Sequence, residues 1–102
     1  MTRQDLLSRI DSGTAPVVVD VRTRREFAQG HVPGAINHPL HSLLLSATDL
    51  PISRDQPVVV YCGHGPRARM AAAMMRRAGF RRIEFLDGHM AGWRQAGFRE
   101  DA

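Results

Sequence analysis

Two short runs of mostly β-branched residues are the strongest hydrophobic feature of the chain. One run is Val17-Val18-Val19-Asp20-Val21, and the other is Val58-Val59-Val60-Tyr61 following Pro57. Continuous apolar runs of this length are typical of strands buried on both faces of a sheet, whereas strands with one wet face alternate apolar and polar residues. The pattern therefore predicts two strands, over residues 17–21 and 57–61, near the centre of a mainly parallel sheet.

Segments of helical character alternate with these strands. Thr2 and Asp5 resemble a helix cap, and the helix after them is expected to end before Gly13. Further helices are predicted over residues 24–28, 41–45 and 66–78 and from the turn at 87–88 through Trp93, with extended pieces at 35–37 and 82–86. This alternation predicts a three-layer α/β domain with a central, mainly parallel sheet flanked by helices, occupying residues 1–102 as one domain.

Composition narrows the class of protein. A hydrophobic fraction of 43% and a charged fraction of 24% are ordinary for a globular domain. The sequence contains no run of eighteen apolar residues, and its first residues lack the apolar core of a signal peptide. The single cysteine cannot form an internal disulfide, and a lone thiol suits a reducing compartment. We therefore expect a cytoplasmic protein that makes no use of a membrane.

The positive charge of the chain is carried by arginine alone. The net charge is +4, lysine is absent, and the densest basic group comprises Arg76, Arg77, Arg81 and Arg82. The remaining arginines are spread along the chain among acidic residues, so a nucleic-acid surface is not expected. The charge instead indicates a solvated surface that favours anionic partners.

Cys62 is the strongest candidate for chemistry. It follows a buried strand and directly precedes a helix, which is where open α/β sheets bind ligands. Free backbone N–H groups among residues 63–67 and the helix dipole would stabilise a thiolate, and the pKa of a cysteine in such settings falls to roughly 3.5–7.5. Gly63 and Gly65 would let the loop wrap around the sulfur. The alternative is an inert, buried cysteine, but the glycines, Pro66 and Arg67 favour a reactive thiol.

Three stretches of the chain resemble signatures of the rhodanese family. The first comprises Asp20-Val21-Arg22, Glu26-Phe27, Gly30-His31-Val32-Pro33-Gly34-Ala35 and Asn37. The second, Cys62-Gly63-His64-Gly65-Pro66-Arg67, is similar to the C-x-x-G-x-R active-site loop of that family. The third, Leu86-Asp87-Gly88 with Trp93, is similar to its closing L-x-G-G motif and the following tryptophan. His89 replaces the second glycine of that motif, so either the backbone there differs or the imidazole enters the pocket.

The resemblance implies a sulfurtransferase. Such an enzyme moves a sulfane sulfur from a small-molecule donor, such as thiosulfate or mercaptopyruvate, to a thiol or protein acceptor through a persulfide on Cys62. The resemblance makes Gly63, His64, Gly65, Pro66 and Arg67 the substrate-binding residues, and it implies no cofactor. His64 is either a substrate contact or an exposed loop residue. The Arg67 guanidinium suits a sulfonate or carboxylate, or else pairs with an acid elsewhere.

Other polar and sulfur-containing residues are predicted to be structural. Asp20, Arg22, Glu26 and His31 are expected to fix the turn after the first strand by hydrogen bonds and ion pairs. No metal site is expected at His38 and His41, which stand three apart without a third ligand nearby. Three methionines at helical spacing are expected to pack in the core: Met70, Met74 and Met75.

Two alternatives to a sulfurtransferase come from other functional classes. A non-catalytic or regulatory module would bind a partner protein and only accept or present the persulfide. A Cdc25-type phosphatase or arsenate reductase would enclose a tetrahedral oxyanion with a longer loop between cysteine and arginine. Only Gly63, His64, Gly65 and Pro66 separate Cys62 from Arg67 here. The shorter loop favours sulfur as the substrate atom.

Overall fold

The computed structural model describes all residues, 1–102, as five helices and four strands. In chain order they are α1 (Arg3–Ser12), β1 (Val17–Asp20), α2 (Arg24–Ala28), β2 (Ile36–Asn37), α3 (Leu40–Ser46), β3 (Val58–Tyr61), α4 (Pro66–Arg77), β4 (Ile83–Phe85) and α5 (His89–Gln95). A single turn of 3₁₀ helix, Ala47–Asp49, follows α3. The four strands form one parallel sheet in the order β2-β1-β3-β4. The predicted α/β architecture is confirmed.

Local sequence signals explain where the first two helices begin and end. The Thr2 hydroxyl accepts the backbone N–H of Asp5 at 3.1 Å, and Gly13 ends α1 with a φ of 73°. Such left-handed angles favour glycine because it has no Cβ. Thr23 and Glu26 form a capping box that starts α2. The predicted limits of both helices are correct.

The core lies on both faces of the sheet because the central strands are apolar at every position but one. Side chains of a strand point alternately to opposite faces. Val19, Val58 and Val60 pack with α3 and α4 on one face, in a cluster that includes Cys62. Val18 and Val59 pack on the other face with Leu6 of α1, Met90 and Trp93 of α5, and Leu86, which follows β4. Burying each valine contributes roughly 1.5–3 kcal/mol, so both layers are held firmly to the sheet.

Several element limits differ from the prediction by one or two residues. Helix α4 ends at Arg77 because Ala78 and Gly79 close its last turn, Gly79 with a φ of 101°. Helix α5 begins at His89 and continues past Trp93 to Gln95. The expectation that Met70 is a core residue is wrong: its position on the outer face of α4 leaves it 53% exposed, whereas Met75 is fully buried. None of the helices is long and apolar enough to span a membrane.

The topology of the sheet indicates where a ligand would bind, at the carboxyl ends of its two central strands. The chain runs outward from β1 to β2 and then returns to add β3 on the other side of β1. Ligands of open α/β sheets bind beyond the carboxyl ends of the strands where the strand order reverses. Those ends are Asp20 of β1 and Tyr61 of β3, which are paired with each other in the sheet. Cys62 immediately follows the second of them.

Candidate active site around Cys62

Cys62 lies between the end of β3 and the start of α4, with its side chain buried on the α4 face of the sheet. The backbone N–H of Gly65 donates a hydrogen bond to the Cys62 sulfur at 3.0 Å. Pro66 occupies the first helical position, where its missing N–H costs nothing. The sulfur is therefore held inside the turn that starts the helix, close to the positive end of the α4 dipole.

Glycine is needed in this loop for two separate reasons. Gly65 has a φ of 122°, an angle that residues with a Cβ rarely adopt. A Cβ on Gly65 would also lie 3.2 Å from Nε2 of His89, and a Cβ on Gly63 would lie 3.3 Å from Nη2 of Arg67. Both glycines thus let a neighbouring side chain approach the loop backbone closely.

The loop is fixed from the other side by the start of α5. The backbone N–H of Met90 donates to the carbonyl of Cys62 at 3.0 Å, and that of Ala91 donates to the carbonyl of Gly63 at 3.1 Å. The His89 ring adds a third bond, because its Nδ1 accepts the backbone N–H of Cys62 at 3.2 Å. These bonds hold the peptide groups on both sides of Cys62 in a fixed orientation.

The electrostatic balance at Cys62 favours the thiolate. Burial raises the pKa of the Cys62 thiol, because water is removed from around its charged form. Hydrogen bonds outweigh that penalty and lower the pKa from 9.0 to about 6; they come from the His89 side chain and the backbone N–H groups of Ala68, Gly65 and His64. A lowered pKa means that the thiolate predominates above the inflection and is lost as the pH falls below it.

The first prediction is an unusually acidic thiol. The rate of iodoacetamide alkylation should rise with pH through an inflection near 6, which is the pKa at which Cys62 becomes a thiolate. The measurement is the pseudo-first-order rate across the range of about pH 4 to 10, with a free cysteine peptide, inflecting near about 8.5, as the reference. An inflection in the protein close to that of the peptide would contradict the anion-stabilising loop.

The structure places Arg67 in an ion pair with Glu26. Their side chains form two hydrogen bonds, Nη1 to Oε1 at 2.6 Å and Nη2 to Oε2 at 3.1 Å. The paired guanidinium lowers the pKa of Glu26 to about 2. The Arg67 side chain remains 37% exposed. The pKa of Arg67 is raised first by the hydrogen bond to Glu26 and also by the negative charge of the Cys62 thiolate. Arg67 therefore joins α2 to the active-site loop and still faces solvent beside it.

His64 differs from its neighbours in the loop because its side chain is exposed. Its backbone N–H contributes to the low pKa of Cys62, as described above. The imidazole makes no hydrogen bond to another part of the chain. The backbone of His64 thus belongs to the sulfur site, and its ring is free to meet an incoming molecule.

The other signature residues lie behind the site. Asp20 and Arg22 are buried and paired, with Nη2 to Oδ2 at 2.8 Å, and Arg22 also donates to the carbonyl of Gly30 at 2.8 Å. The hydroxyl of Tyr61 accepts the backbone N–H of Val32 at 3.1 Å. These bonds tie the segment after β1 to the end of β3, in agreement with the structural role expected of Asp20 and Arg22.

The remaining histidines have different surroundings. His31 is buried, stacks on Phe27 with ring centroids 3.6 Å apart, and bonds to that residue's carbonyl through Nδ1 at 2.8 Å. His38 precedes α3, and His41 lies exposed in its first turn. No group of three or more His, Cys, Asp or Glu side chains is arranged to hold a metal ion.

His89 is the site residue to which the sequence alone could assign no role. It begins α5 with a φ of 54°, the one residue other than glycine with a positive φ. The signal in the sequence was its position in place of the second glycine of the closing motif. The structure resolves the two possibilities left open there: the backbone keeps a left-handed angle, and the imidazole enters the site.

Comparisons with known proteins identify the family of this chain. The family model described as a rhodanese-like domain matches residues 2–96. A sulfurtransferase of Allochromatium vinosum is 33% identical over 92% of this chain and 86% of its own length. The thiosulfate sulfurtransferase GlpE of Stutzerimonas stutzeri is 39% identical over 76% of this chain and 70% of its own. An HTH-type transcriptional regulator of Mycobacterium tuberculosis is 39% identical over 99% of this chain, which spans 44% of the regulator.

Solved structures show the same fold. The rhodanese-like domain of an Anabaena protein superposes with a TM-score of 0.86 at 26% identity, covering all of this chain and 77% of that one. A thiosulfate sulfurtransferase from Pseudomonas aeruginosa superposes with a TM-score of 0.81 at 33% identity, covering 97% of this chain but 19% of that one. The family match, the relatives and the solved structures agree on the fold and on the family. This chain is a member of the rhodanese-like domain family.

Proposed function

We propose that this protein is a sulfurtransferase in which Cys62 carries the transferred sulfur as a persulfide. The observation that carries the proposal is the buried sulfur of Cys62, held at 3.0 Å by the N–H of Gly65 in the turn that begins α4. Backbone donors around a sulfur stabilise the charge of a thiolate, and donors of the same kind stabilise the terminal sulfur of a persulfide, because both are anions. Sulfurtransferases among the relatives support the same activity.

The reaction consists of two displacements at sulfur. The Cys62 thiolate attacks the outer sulfur of a donor such as thiosulfate, whose S–S bond breaks, and sulfite leaves with the electron pair of that bond. From mercaptopyruvate the C–S bond breaks instead, and the enolate of pyruvate leaves and takes up a proton. The acceptor then attacks the outer sulfur of the Cys62 persulfide, and the Cys62 thiolate is regenerated. One difficult transfer is thus divided into two easier ones.

The substrate is proposed to bind along the residues that follow Cys62. The N–H groups of His64 and Gly65 already bond to the Cys62 sulfur. Gly63 and Pro66 complete the loop that a donor would contact, and no side chain caps the start of α4 because its N-cap residue is Gly65. Arg67 presents the outer side of its guanidinium to an anionic head group while Glu26 holds the other side. The exposed ring of His64 provides a further contact for the donor or the acceptor.

The second prediction tests the function directly. Incubation with thiosulfate or mercaptopyruvate, followed by removal of the donor, should increase the intact mass of the protein by one sulfur atom. The added mass should disappear on treatment with dithiothreitol or cyanide, because both attack a persulfide. A protein whose mass is unchanged by either donor, while its thiol remains reactive toward iodoacetamide, would contradict the proposal.

A second candidate function is a relay module that accepts a persulfide without turning over. It is favoured by the regulator from Mycobacterium tuberculosis, a longer protein in which the matching region is less than half of the chain. The two functions differ in turnover, since a relay module would load one sulfur per protein and release it only to a particular partner. Multiple turnovers with cyanide or a small thiol therefore distinguish the enzyme from the relay.

A further inference from the structure

The backbone of His89 has a conformation that is unfavourable for a residue with a side chain. Its φ of 54° lies in the left-handed region, which glycine enters freely and residues with a Cβ enter at a cost in energy. The closing L-x-G-G motif of the family has a glycine at this position, which would adopt the same angle without strain. A strained residue that persists in a site suggests that its side chain contributes something a glycine cannot.

The side chain of His89 is oriented by the active-site loop itself. Nδ1 accepts the backbone N–H of Cys62 at 3.2 Å, so Nδ1 carries no proton and the proton of the neutral ring is on Nε2. The Nε2 edge lies against Gly65, since a Cβ on that glycine would be 3.2 Å from Nε2 and 3.5 Å from Cδ2. The ring therefore spans the loop from the peptide of Cys62 to the residue whose N–H binds the sulfur.

We propose that His89 is a positioning residue for sulfur transfer, whose neutral imidazole orients the Cys62 peptide and closes one side of the site around the reactive sulfur. This inference rests on the proposed sulfurtransferase function and assigns a part of its geometry. The backbone N–H of Cys62 needs an acceptor because it lies at the end of β3, where the sheet no longer supplies one. With that N–H bound to Nδ1, the Cys62 peptide keeps the orientation in which the sulfur accepts the N–H of Gly65.

The closing experiment compares two substitutions of His89. His89→Gly removes the ring and should fold well, since glycine adopts a φ of 54° without strain. His89→Asn tolerates the same angle and places its amide oxygen close to the position of Nδ1, so it still accepts the N–H of Cys62. His41→Asn, on the exposed first turn of α3, is the matched control for the loss of a histidine.

The pH profile of alkylation is the readout that a merely structural role would leave unchanged. His89→Gly should move the inflection upward by about one pH unit, because it removes the His89 side-chain hydrogen bond that helps to lower the pKa of the Cys62 thiol. Sulfur loading at a pH below the wild-type inflection should fall about tenfold, because the fraction of Cys62 present as thiolate falls by that factor there. His89→Asn should recover at least part of both effects. Arg67 and Glu26, the charged pair beside the sulfur, are the same in every variant.

Each outcome decides the question. A glycine variant with an unchanged inflection and unchanged loading would overturn the positioning role, and so would an asparagine variant that recovers neither effect. The midpoint of thermal unfolding of the glycine variant should be at or above that of the wild type. This measurement distinguishes a loss of positioning from a loss of the fold. Failure of the proposed function is distinguishable, because the wild-type protein would then take up no sulfur while its alkylation profile remained measurable.

Discussion

Replacement of Cys62 with serine should abolish both the uptake of sulfur and the formation of thiocyanate from a donor and cyanide. The hydroxyl that replaces the thiol does not ionise near neutral pH, whereas hydrogen bonds hold the pKa of the Cys62 thiol at about 6. A serine also cannot form a persulfide, so no intermediate remains to carry the sulfur. We expect turnover to fall by at least about a thousandfold, since the loss of a nucleophile removes the covalent route altogether.

The fold of the serine variant can be checked independently. Serine is close in size to cysteine, and its hydroxyl can still accept the N–H of Gly65, which bonds to the sulfur at 3.0 Å in the wild type. Circular dichroism and the midpoint of thermal unfolding should therefore remain near those of the wild type. Thiocyanate formation at an undiminished rate by a folded Cys62→Ser protein would show that the sulfur travels by another route.

The fold could be predicted largely because local signals agree with the tertiary structure. The β-branched runs at 17–21 and 58–61 contain the two central strands. Gly13 lies at the end of α1, Thr23 at the start of α2 and Pro66 at the start of α4, as the preferences of these residue types for helix ends predict. The prediction was less exact where tertiary contacts decide. Met70 has the spacing of a core residue, yet α4 packs through Ala68, Ala71, Ala72 and Met75 and leaves Met70 outside.

The sequence predicts the residues of the site that lie within the loop, but not the contacts that residues distant in sequence make with it. Cys62, Gly63 and Gly65 lie in one short segment, so their order in the sequence already describes a turn around a sulfur. The contacts of His89 with Cys62 and of Arg67 with Glu26 join residues 27 and 41 positions apart. Whether such side chains meet depends on how α2 and α5 pack beside the loop between β3 and α4, which no local pattern specifies.

The length of the loop matters as well as its glycines. Gly65 reaches the Cys62 sulfur only because two residues separate them, and the carbonyls of Cys62 and Gly63 are bound by α5 on the opposite side. Both ends of the loop are therefore fixed, one by the end of β3 and the other by the first turn of α4. A preorganised arrangement of this kind gains its effect from donors that are already in place before the charge develops.

Insertion of one glycine after Gly65 should depress sulfur transfer by about a hundredfold or more. The added residue moves the start of α4 away from Cys62, so the N–H groups converging on the sulfur lose their alignment, and displacements of about 1 Å can cost on the order of a hundredfold. The measurement is the rate of thiocyanate formation, together with the intact mass after incubation with a donor. Hydrolysis of a small aryl phosphate should be negligible in the wild type, because four residues between Cys62 and Arg67 enclose a site for one sulfur.

The control is a glycine inserted between Thr14 and Ala15. These residues are exposed in the loop between α1 and β1, at the amino end of the sheet and therefore opposite to Cys62. That variant should keep its sulfur transfer within about twofold of the wild type, since added length in a surface loop is tolerated. Undiminished transfer in a folded protein with the longer active-site loop would show that loop length does not govern the chemistry. Efficient hydrolysis of the aryl phosphate by the wild type would instead favour a phosphatase, because the site would then accommodate a tetrahedral oxyanion.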